Sequence, residues 1–282
     1  MKKLIKLILT AAGLAVLLDT ANKAIFALAK HAAGGSSKNE HIYKWKFGKI
    51  RYVVAGDAAL PPLLLVHGIG AGAGLHEWEA LIPALSKRYR VYALDLLGFG
   101  KSEMPDVTVS SYLYALLIRD FMKNVIGVSA FVASNNLSCS FVAVAAKLAP
   151  AYFDKLLFLA PNAVQQVKPT CKQRLVKMLL ECPIVGTSAY LAMTSRCAFR
   201  AKMEQLGLRR AEPFYIAAHQ GGAAARFPYA AILTGSLYAN TAHILRNTPQ
   251  ACRILWPEST HPLPQMQDPQ ALFRACREFF GA

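Results

Sequence analysis

Short apolar runs that alternate with helical segments are the feature that most constrains the fold of this chain. Residues 63–66 read Leu-Leu-Leu-Val, a continuous run typical of a strand buried on both faces of a sheet. Similar runs lie at residues 91–94, 130–133 and 155–159. Helical patterns separate them at residues 77–87, 110–125 and 138–149, and a predicted hairpin precedes them at residues 43–56. This alternation predicts an α/β fold with a doubly wound, mainly parallel sheet covered on both faces.

The composition favours one large core and a basic surface. The chain has 282 residues, of which 54% are hydrophobic, enough for one core or for one core with a small lid. Its 32 Lys and Arg against 16 Asp and Glu give a net charge of +16, which favours anionic partners. Neither zinc-finger spacing nor an aromatic-basic RNA-binding motif occurs in the sequence. A membrane surface is therefore a predicted partner, and nucleic acid is not.

The six cysteines are widely spaced. They stand at positions 139, 171, 182, 197, 252 and 276, with no C-x-x-C pair and no metal-ligand spacing. In a domain of this size they are predicted to be small buried hydrophobic residues rather than a disulfide framework. The sequence thus predicts neither a metal site nor another cofactor.

The N-terminal segment, residues 1–33, differs from the rest of the chain. A basic start is followed by an uninterrupted apolar stretch at residues 7–18, which is shorter than the roughly 20 residues that span a bilayer. Residues 21–33 continue as an amphipathic helix of the interfacial type. Three interpretations stay open: a retained membrane anchor, a signal peptide that is cleaved before secretion, and a soluble helix. Residues 34–39, rich in Gly and Ser, are a predicted linker.

Three loop motifs follow the predicted strands in order. His67-Gly68-Ile69-Gly70 comes directly after the first buried strand, and residues 95–102 (Asp-Leu-Leu-Gly-Phe-Gly-Lys-Ser) come after the next. Residues 134–138 (Ser-Asn-Asn-Leu-Ser) join a third strand to an alanine-rich helix. With a late histidine, these motifs resemble the α/β-hydrolase superfamily from about residue 40 to the C-terminus. The resemblance implies the α/β-hydrolase type of sheet with a helical cap insertion.

The resemblance also implies a nucleophile at the elbow, where such proteins carry G-x-S-x-G. On that pattern Asn136 stands at the position of the nucleophilic serine, and an amide cannot attack an ester as an activated hydroxyl does. Asparagine tolerates the left-handed backbone of an elbow better than other non-glycine residues, which favours this alignment. In the alternative alignment Ser138 is the nucleophile.

An oxyanion hole of two backbone N–H groups is a further implication of the resemblance. One N–H belongs to Ile69 or Gly70, and the second belongs to Leu137, the residue after the predicted nucleophile position. His67 and Asp95 are interpreted as structural residues that tie the loops together at the strand ends.

The other members of a catalytic triad are incomplete. The resemblance places the histidine at His261, after a predicted strand at residues 251–256. It also predicts a strand ending in G-x-x-D, and residues 231–235 fit such a strand, but Tyr238 stands in place of the aspartate. The alternative is that this strand is deleted and that residues 234–245 belong to a helix. In both cases no carboxylate is placed to orient the imidazole, as a triad requires.

The predicted core comprises residues 40–162 and 229–282, and residues 163–228 form the predicted helical cap. Between residues 168 and 210 the cap carries nine Lys or Arg against two Glu, together with an apolar stretch. An apolar lid with a basic rim suits an anionic membrane surface or a fatty acyl chain. Alternatively, the apolar side chains pack on the sheet and the basic ones are solvated.

Two function hypotheses follow, besides a third hypothesis that the fold itself is compromised by lost sheet elements. One is a membrane-associated hydrolase of lipid-like ester or acyl substrates whose catalysis is weak or lost, with Ser138 as an unusual nucleophile. The other is a catalytically inactive hydrolase-fold protein that binds a hydrophobic ligand or a protein partner. The resemblance favours the first hypothesis and the residues favour the second, because a nucleophile, a base and an oxyanion hole are all required for hydrolysis. The sequence leaves open whether the protein is an enzyme.

Overall fold

A seven-stranded sheet forms the centre of the molecule. The computed structural model describes residues 2–32, 39–104, 109–161, 169–256 and 263–281. The strands are β1 (Glu40–Trp45), β2 (Gly48–Ala55), β3 (Pro62–Val66), β4 (Arg90–Leu94), β5 (Ala130–Asn135), β6 (Phe153–Leu159) and β7 (Ala251–Leu255). Their order is β1-β2-β4-β3-β5-β6-β7, with β1 and β2 antiparallel and the other pairs parallel. The predicted hairpin and the mainly parallel sheet are confirmed.

Helices cover the sheet and build a separate layer above one end of it. Those around the sheet are α2 (Ile82–Leu85), α3 (Ser111–Phe121), α4 (Ser138–Leu148), α10 (Thr241–Arg246), α11 (Pro264–Gln267) and α12 (Pro269–Phe280). The helices between β6 and α10, which we name the cap, are α5 (Cys171–Glu181), α6 (Pro183–Met193), α7 (Arg196–Gln205), α8 (Glu212–His219) and α9 (Arg226–Leu233), and the N-terminal helix is α1 (Lys2–Ala32). The side chain of Ser110 caps α3 by accepting the N–H of Leu113.

Both faces of the sheet are buried because side chains alternate along each strand. Leu64 and Val66 of β3 point into the apolar cluster under α3 and α4. Leu63 and Leu65 point to the opposite face, where α12 covers them. All four side chains are inaccessible to solvent, which explains why the sequence shows a continuous apolar run rather than an alternating one.

The helix α1 is attached to the cap by only one of its ends. Asn22, Phe26 and Ala29 are buried and lie on one face, since they are separated by four and three residues. The Asn22 amide donates a hydrogen bond to Ser188 Oγ of α6 at 3.1 Å. The side chains of the first half that the structure describes are largely exposed, Leu14 and Leu17 among them. By length and composition, Leu9–Ala32 is long and apolar enough to cross a membrane, as a signal sequence near an N-terminus also is.

Two sequence predictions are wrong. Residues 231–235 do not form a strand: α9 occupies residues up to Leu233, Gly235 turns the chain with a φ of 67°, and β7 pairs directly with β6. The alternative of a deleted strand matches this arrangement, although α10 covers only part of the predicted helix. The six cysteines are free thiols, but only Cys139 and Cys276 are buried. The remaining four are exposed: Cys171 and Cys197 lie on α5 and α7, Cys182 lies between α5 and α6, and Cys252 lies on the edge strand β7.

Candidate active site

Asn136 lies at the sharp turn between β5 and α4. Its φ of 54° is in the left-handed region, which asparagine adopts more readily than other residues with a side chain. Its N–H donates to the carbonyl oxygen of Leu159 at the end of β6, at 2.9 Å. The loop after β3 approaches this turn closely: a Cβ on Gly68 would lie 3.0 Å from Asn135 Nδ2 and 3.6 Å from Asn136 Cβ. Glycine at position 68 therefore permits the two loops to meet.

Ser138 begins α4, two residues beyond the turn. Its side chain is fully buried, and its hydroxyl donates to the carbonyl oxygen of His67 at 2.6 Å. A backbone carbonyl holds the proton of the hydroxyl but is not a base that can remove it. This hydrogen bond ties the start of α4 to the loop after β3, so the observed contact of Ser138 is structural.

His67 and Asp95 connect the loops at the strand ends. His67 is fully buried; its Nε2 accepts the N–H of Leu96 at 2.9 Å, so its Nδ1 carries the proton and donates to the carbonyl oxygen of Gly68 at 2.5 Å. The Asp95 carboxylate accepts the N–H of Leu75 at 2.7 Å and an Arg51 guanidinium N–H at 3.0 Å. These contacts agree with the structural interpretation of both residues.

A cavity of about 70 Å³ lies above the elbow turn. From the core it is lined by the loop of Gly68, Ile69 and Gly70, together with Glu77, Asn135 and Asn136; from the cap it is lined by Lys202, Met203, Leu206 and Phe214. Leu137 is buried in the core cluster beneath the turn. This volume is well below the roughly 300–1,000 Å³ of pockets that hold a drug-sized ligand, so the cavity suits a small group rather than a whole acyl chain. We name it the elbow cavity.

Glu77 also lines the elbow cavity, although the sequence predicted for it only a place in a helix. It belongs to a short 3₁₀ helix at Leu75–Trp78 and is almost completely buried. Its Oε2 accepts the N–H of Gly68 at 3.0 Å and the side-chain amide of Gln265 at 2.9 Å. Burial raises the pKa of this carboxyl, and hydrogen bonds from Gly68 and from the Asn135 side chain oppose that rise. The one sequence signal for a buried role of Glu77 was its position between the apolar residues Leu75 and Trp78, shortly after the H-G-x-G loop.

The structure brings some of the predicted site residues together. Asn136, Ile69 and Gly70 share the elbow cavity, whereas Ser138 is directed at His67. His261 lies outside the described residues, so its prediction stands as the sequence left it. Within the ranges that the structure describes, no group of three or more His, Cys, Asp or Glu is arranged to hold a metal ion.

Comparisons with known proteins place this architecture among hydrolases. A family model described as alpha/beta hydrolase fold matches residues 61–126. A 2-hydroxy-6-oxo-6-(2'-aminophenyl)hexa-2,4-dienoic acid hydrolase from Metapseudomonas resinovorans is 38% identical over 94 residues, which is 31% of this chain and 32% of that protein. Aligned segments span about a third or less of the curated relatives that the chain matches.

Solved structures match over most of the chain. The serine hydrolase of carbazole degradation called CarC superimposes with a TM-score of 0.65 at 18% identity, covering 86% of this chain and 98% of that one. A membrane phospholipase A superimposes with a TM-score of 0.62 at 20% identity, covering 100% of this chain and 98% of that one. At these identities the superpositions show a shared fold.

Proposed function

Because this chain has the α/β-hydrolase fold, we propose that it is a membrane-associated protein that binds a lipid-like ester or acyl compound at the elbow cavity and has lost serine-type hydrolysis. The observation that carries this proposal is the arrangement of Asn136 and Ser138 at the elbow turn. Asn136 occupies the left-handed turn, and the hydroxyl of Ser138 donates to the His67 carbonyl. Neither side chain offers an activated hydroxyl to a bound ester.

The site retains features that suit binding of a carbonyl group. Ile69 and Gly70 line the elbow cavity through a loop whose backbone is held by the Glu77 carboxylate at Gly68. Met203, Leu206 and Phe214 give the cavity an apolar wall from the cap. An ester head group can lie against the loop backbone while its acyl part lies along the cap. The small volume of the elbow cavity requires the cap to move outward when a chain longer than a short acyl group enters.

Association with a membrane is supported by the placement of α1. Phe26 and Ala29 fix its second half to the cap, so the apolar first half extends from the protein body. The net charge of +16 adds attraction to anionic head groups. A membrane phospholipase A is among the proteins whose structure superimposes on the whole chain.

The experiment that tests ligand binding is photo-crosslinking of the full chain in phosphatidylcholine vesicles with a diazirine-bearing fatty acid. We expect label on the peptide that contains Met203 and Leu206, because both side chains line the elbow cavity. Leu206→Glu should reduce this label about tenfold by placing a charge in an apolar wall. The control Leu175→Glu, at an exposed position of α5 outside the cavity lining, should keep it.

The same preparation tests the loss of hydrolysis. Release of nitrophenolate from p-nitrophenyl butyrate should equal the rate in buffer. Turnover above that rate contradicts the loss of hydrolysis, and label confined to α1 contradicts binding at the elbow cavity.

A further inference from the structure

A second cavity, of about 490 Å³, lies on the cap and is lined by four arginines. Arg196 and Arg200 come from α7, and Arg209 and Arg210 come from the loop between α7 and α8. Its other lining residues include Glu212, Pro213 and Tyr215 at the start of α8. We name it the arginine pocket. Its size is within the range of pockets that bind small molecules.

One of the four arginines is fixed in place. Arg196 donates to the Glu212 carboxylate through Nε and Nη2, the shorter contact being 2.9 Å. Its guanidinium also lies over the Tyr215 ring, 4.1 Å from the ring centroid. Since Glu212 is engaged in this way, its charge is already paired with Arg196.

The other three arginines have no acidic partner among the described residues. Arg200, Arg209 and Arg210 form no ion pair within 4.0 Å with any residue in the described part of the chain. Three uncompensated guanidinium groups therefore face one cavity. Guanidinium groups pair with phosphate oxygens through two parallel hydrogen bonds, a geometry that lysine lacks.

The placement of these arginines is unfavourable for the helix that carries two of them. Arg196 and Arg200 are four residues apart, where like charges destabilise a helix. Arg196 is also the first residue of α7, at the positive end of the helix dipole. The arginine side chains thus favour a negative ligand.

We propose that the arginine pocket is a binding site for a phosphate group, carried either by a phospholipid head or by a soluble phosphate ester. The pocket lies beside the end of α1 that packs on the cap, since Ala29 belongs to the same apolar cluster as Phe199 and Tyr215. It is separate from the elbow cavity, and the proposal holds whether or not that cavity binds an ester.

The test is equilibrium dialysis with the full chain held in phosphatidylcholine vesicles. The probes are glycerol 3-phosphate and dihexanoyl phosphatidic acid. The variant Arg200→Gln/Arg209→Gln/Arg210→Gln removes the unpaired charges. The control Arg246→Gln/Arg274→Gln/Arg277→Gln removes three exposed arginines elsewhere and changes the net charge equally.

We expect saturable binding of at least one probe to the wild type, a loss of affinity of about tenfold or more in the pocket variant, and wild-type affinity in the control variant. Binding of both probes assigns the site to the phosphate group itself, and binding of phosphatidic acid alone assigns it to lipid. Equal losses in the two triple variants, or no saturable binding of either probe to the wild type, would overturn the proposal. All six side chains are exposed, and a thermal melt of each variant checks that it is folded.

Discussion

At the scale of single residues, the backbone conformations at Asn136 and Ser138 explain where each side chain of the elbow lies. Asn136 adopts a φ of 54° at modest cost because its short polar side chain tolerates that region. Two residues later the backbone is helical, and a serine there reaches the loop after β3 instead of the cavity. The geometry of the turn thus separates the two residues that the sequence offered as alternatives.

The first prediction concerns the buried hydrogen bond of Ser138. Ser138→Ala removes the donor to the His67 carbonyl, so the free energy of unfolding should fall by about 1 kcal/mol. Urea denaturation of the full chain measures this change. The control Ser86→Ala removes a hydroxyl whose hydrogen bond to Pro83 is exposed, and it should leave stability nearly unchanged. Unchanged stability in Ser138→Ala would show that the hydroxyl is not tied to the loop.

Glu77 gives the site a dependence on pH. Its carboxyl is buried, and burial raises its pKa above the ordinary value of 4.5. The folded protein therefore keeps the proton at pH values where the unfolded chain has released it. The stabilisation that this carboxyl contributes is fully present below pH 4.5, and it is lost as the pH rises through the pKa of the carboxyl in the folded protein.

The second prediction tests that sign with Glu77→Gln, which keeps an oxygen to accept the N–H groups of Gly68 and Gln265. The free energy of unfolding of the wild type, minus that of the variant, should decrease as the pH rises from 4 towards 8. Urea denaturation at each pH gives this difference, in which the titrations of other groups cancel. A difference that is flat or increases with pH contradicts a buried carboxyl with a raised pKa.

Sequence patterns could not locate Glu77 because its partners are remote along the chain. Gly68 is nine residues before it, and Gln265 is 188 residues after it. No local spacing links these positions; only the stacking of loops at the ends of parallel strands does so. By contrast, the resemblance to α/β-hydrolases already implied Asn136, Ile69 and Gly70, because the motifs that contain them lie in the loops that follow strands.

At the scale of elements, the two halves of α1 lie in different environments. Its second half packs on α6 and α8 through Phe26 and Ala29, and its first half exposes apolar side chains. The sequence predicted a helix with an apolar start, but only the structure shows that the attachment is confined to one end.

The third prediction is that the exposed half of α1 binds membranes. Leu14→Lys/Leu17→Lys should abolish sedimentation with phosphatidylcholine vesicles, since each lysine at membrane depth costs about 3 kcal/mol. The control Ile42→Lys/Val128→Lys makes the same change at exposed positions of the protein body and should sediment as the wild type does. Undiminished sedimentation of the α1 variant would exclude this helix as the anchor.

The sheet edge shows where a sequence pattern failed. Residues 231–235 are apolar enough for a strand, but α9 extends to Leu233 because Ala230 and Ala231 pack in the clusters under the cap and beside α4. As a result β7 lies next to β6, and the position where the resemblance expected an acid has no strand to present one. Short apolar runs are compatible with both structures, and tertiary packing decides between them.

At the scale of the whole molecule, the α/β-hydrolase fold persists around an altered elbow. The mainly parallel sheet, buried by apolar layers on both faces, matches what the sequence predicted. Continuous apolar strands and glycine-rich loops are local features, which is why they could be predicted from one sequence. The sequence predicted helices between β6 and α10, but it could not predict their cavities, because these depend on contacts between elements far apart in the chain.

The central claim is that the fold has kept its elbow but lost its nucleophile, and labelling with a fluorophosphonate serine-hydrolase probe tests it most directly. The wild type and Ser138→Ala should both stay unlabelled, because no activated serine faces the elbow cavity. Asn136→Ser, which places a hydroxyl at the turn, should be the one variant of the three that gains label. Label on the wild type that disappears in Ser138→Ala would contradict the account and identify Ser138 as a working nucleophile.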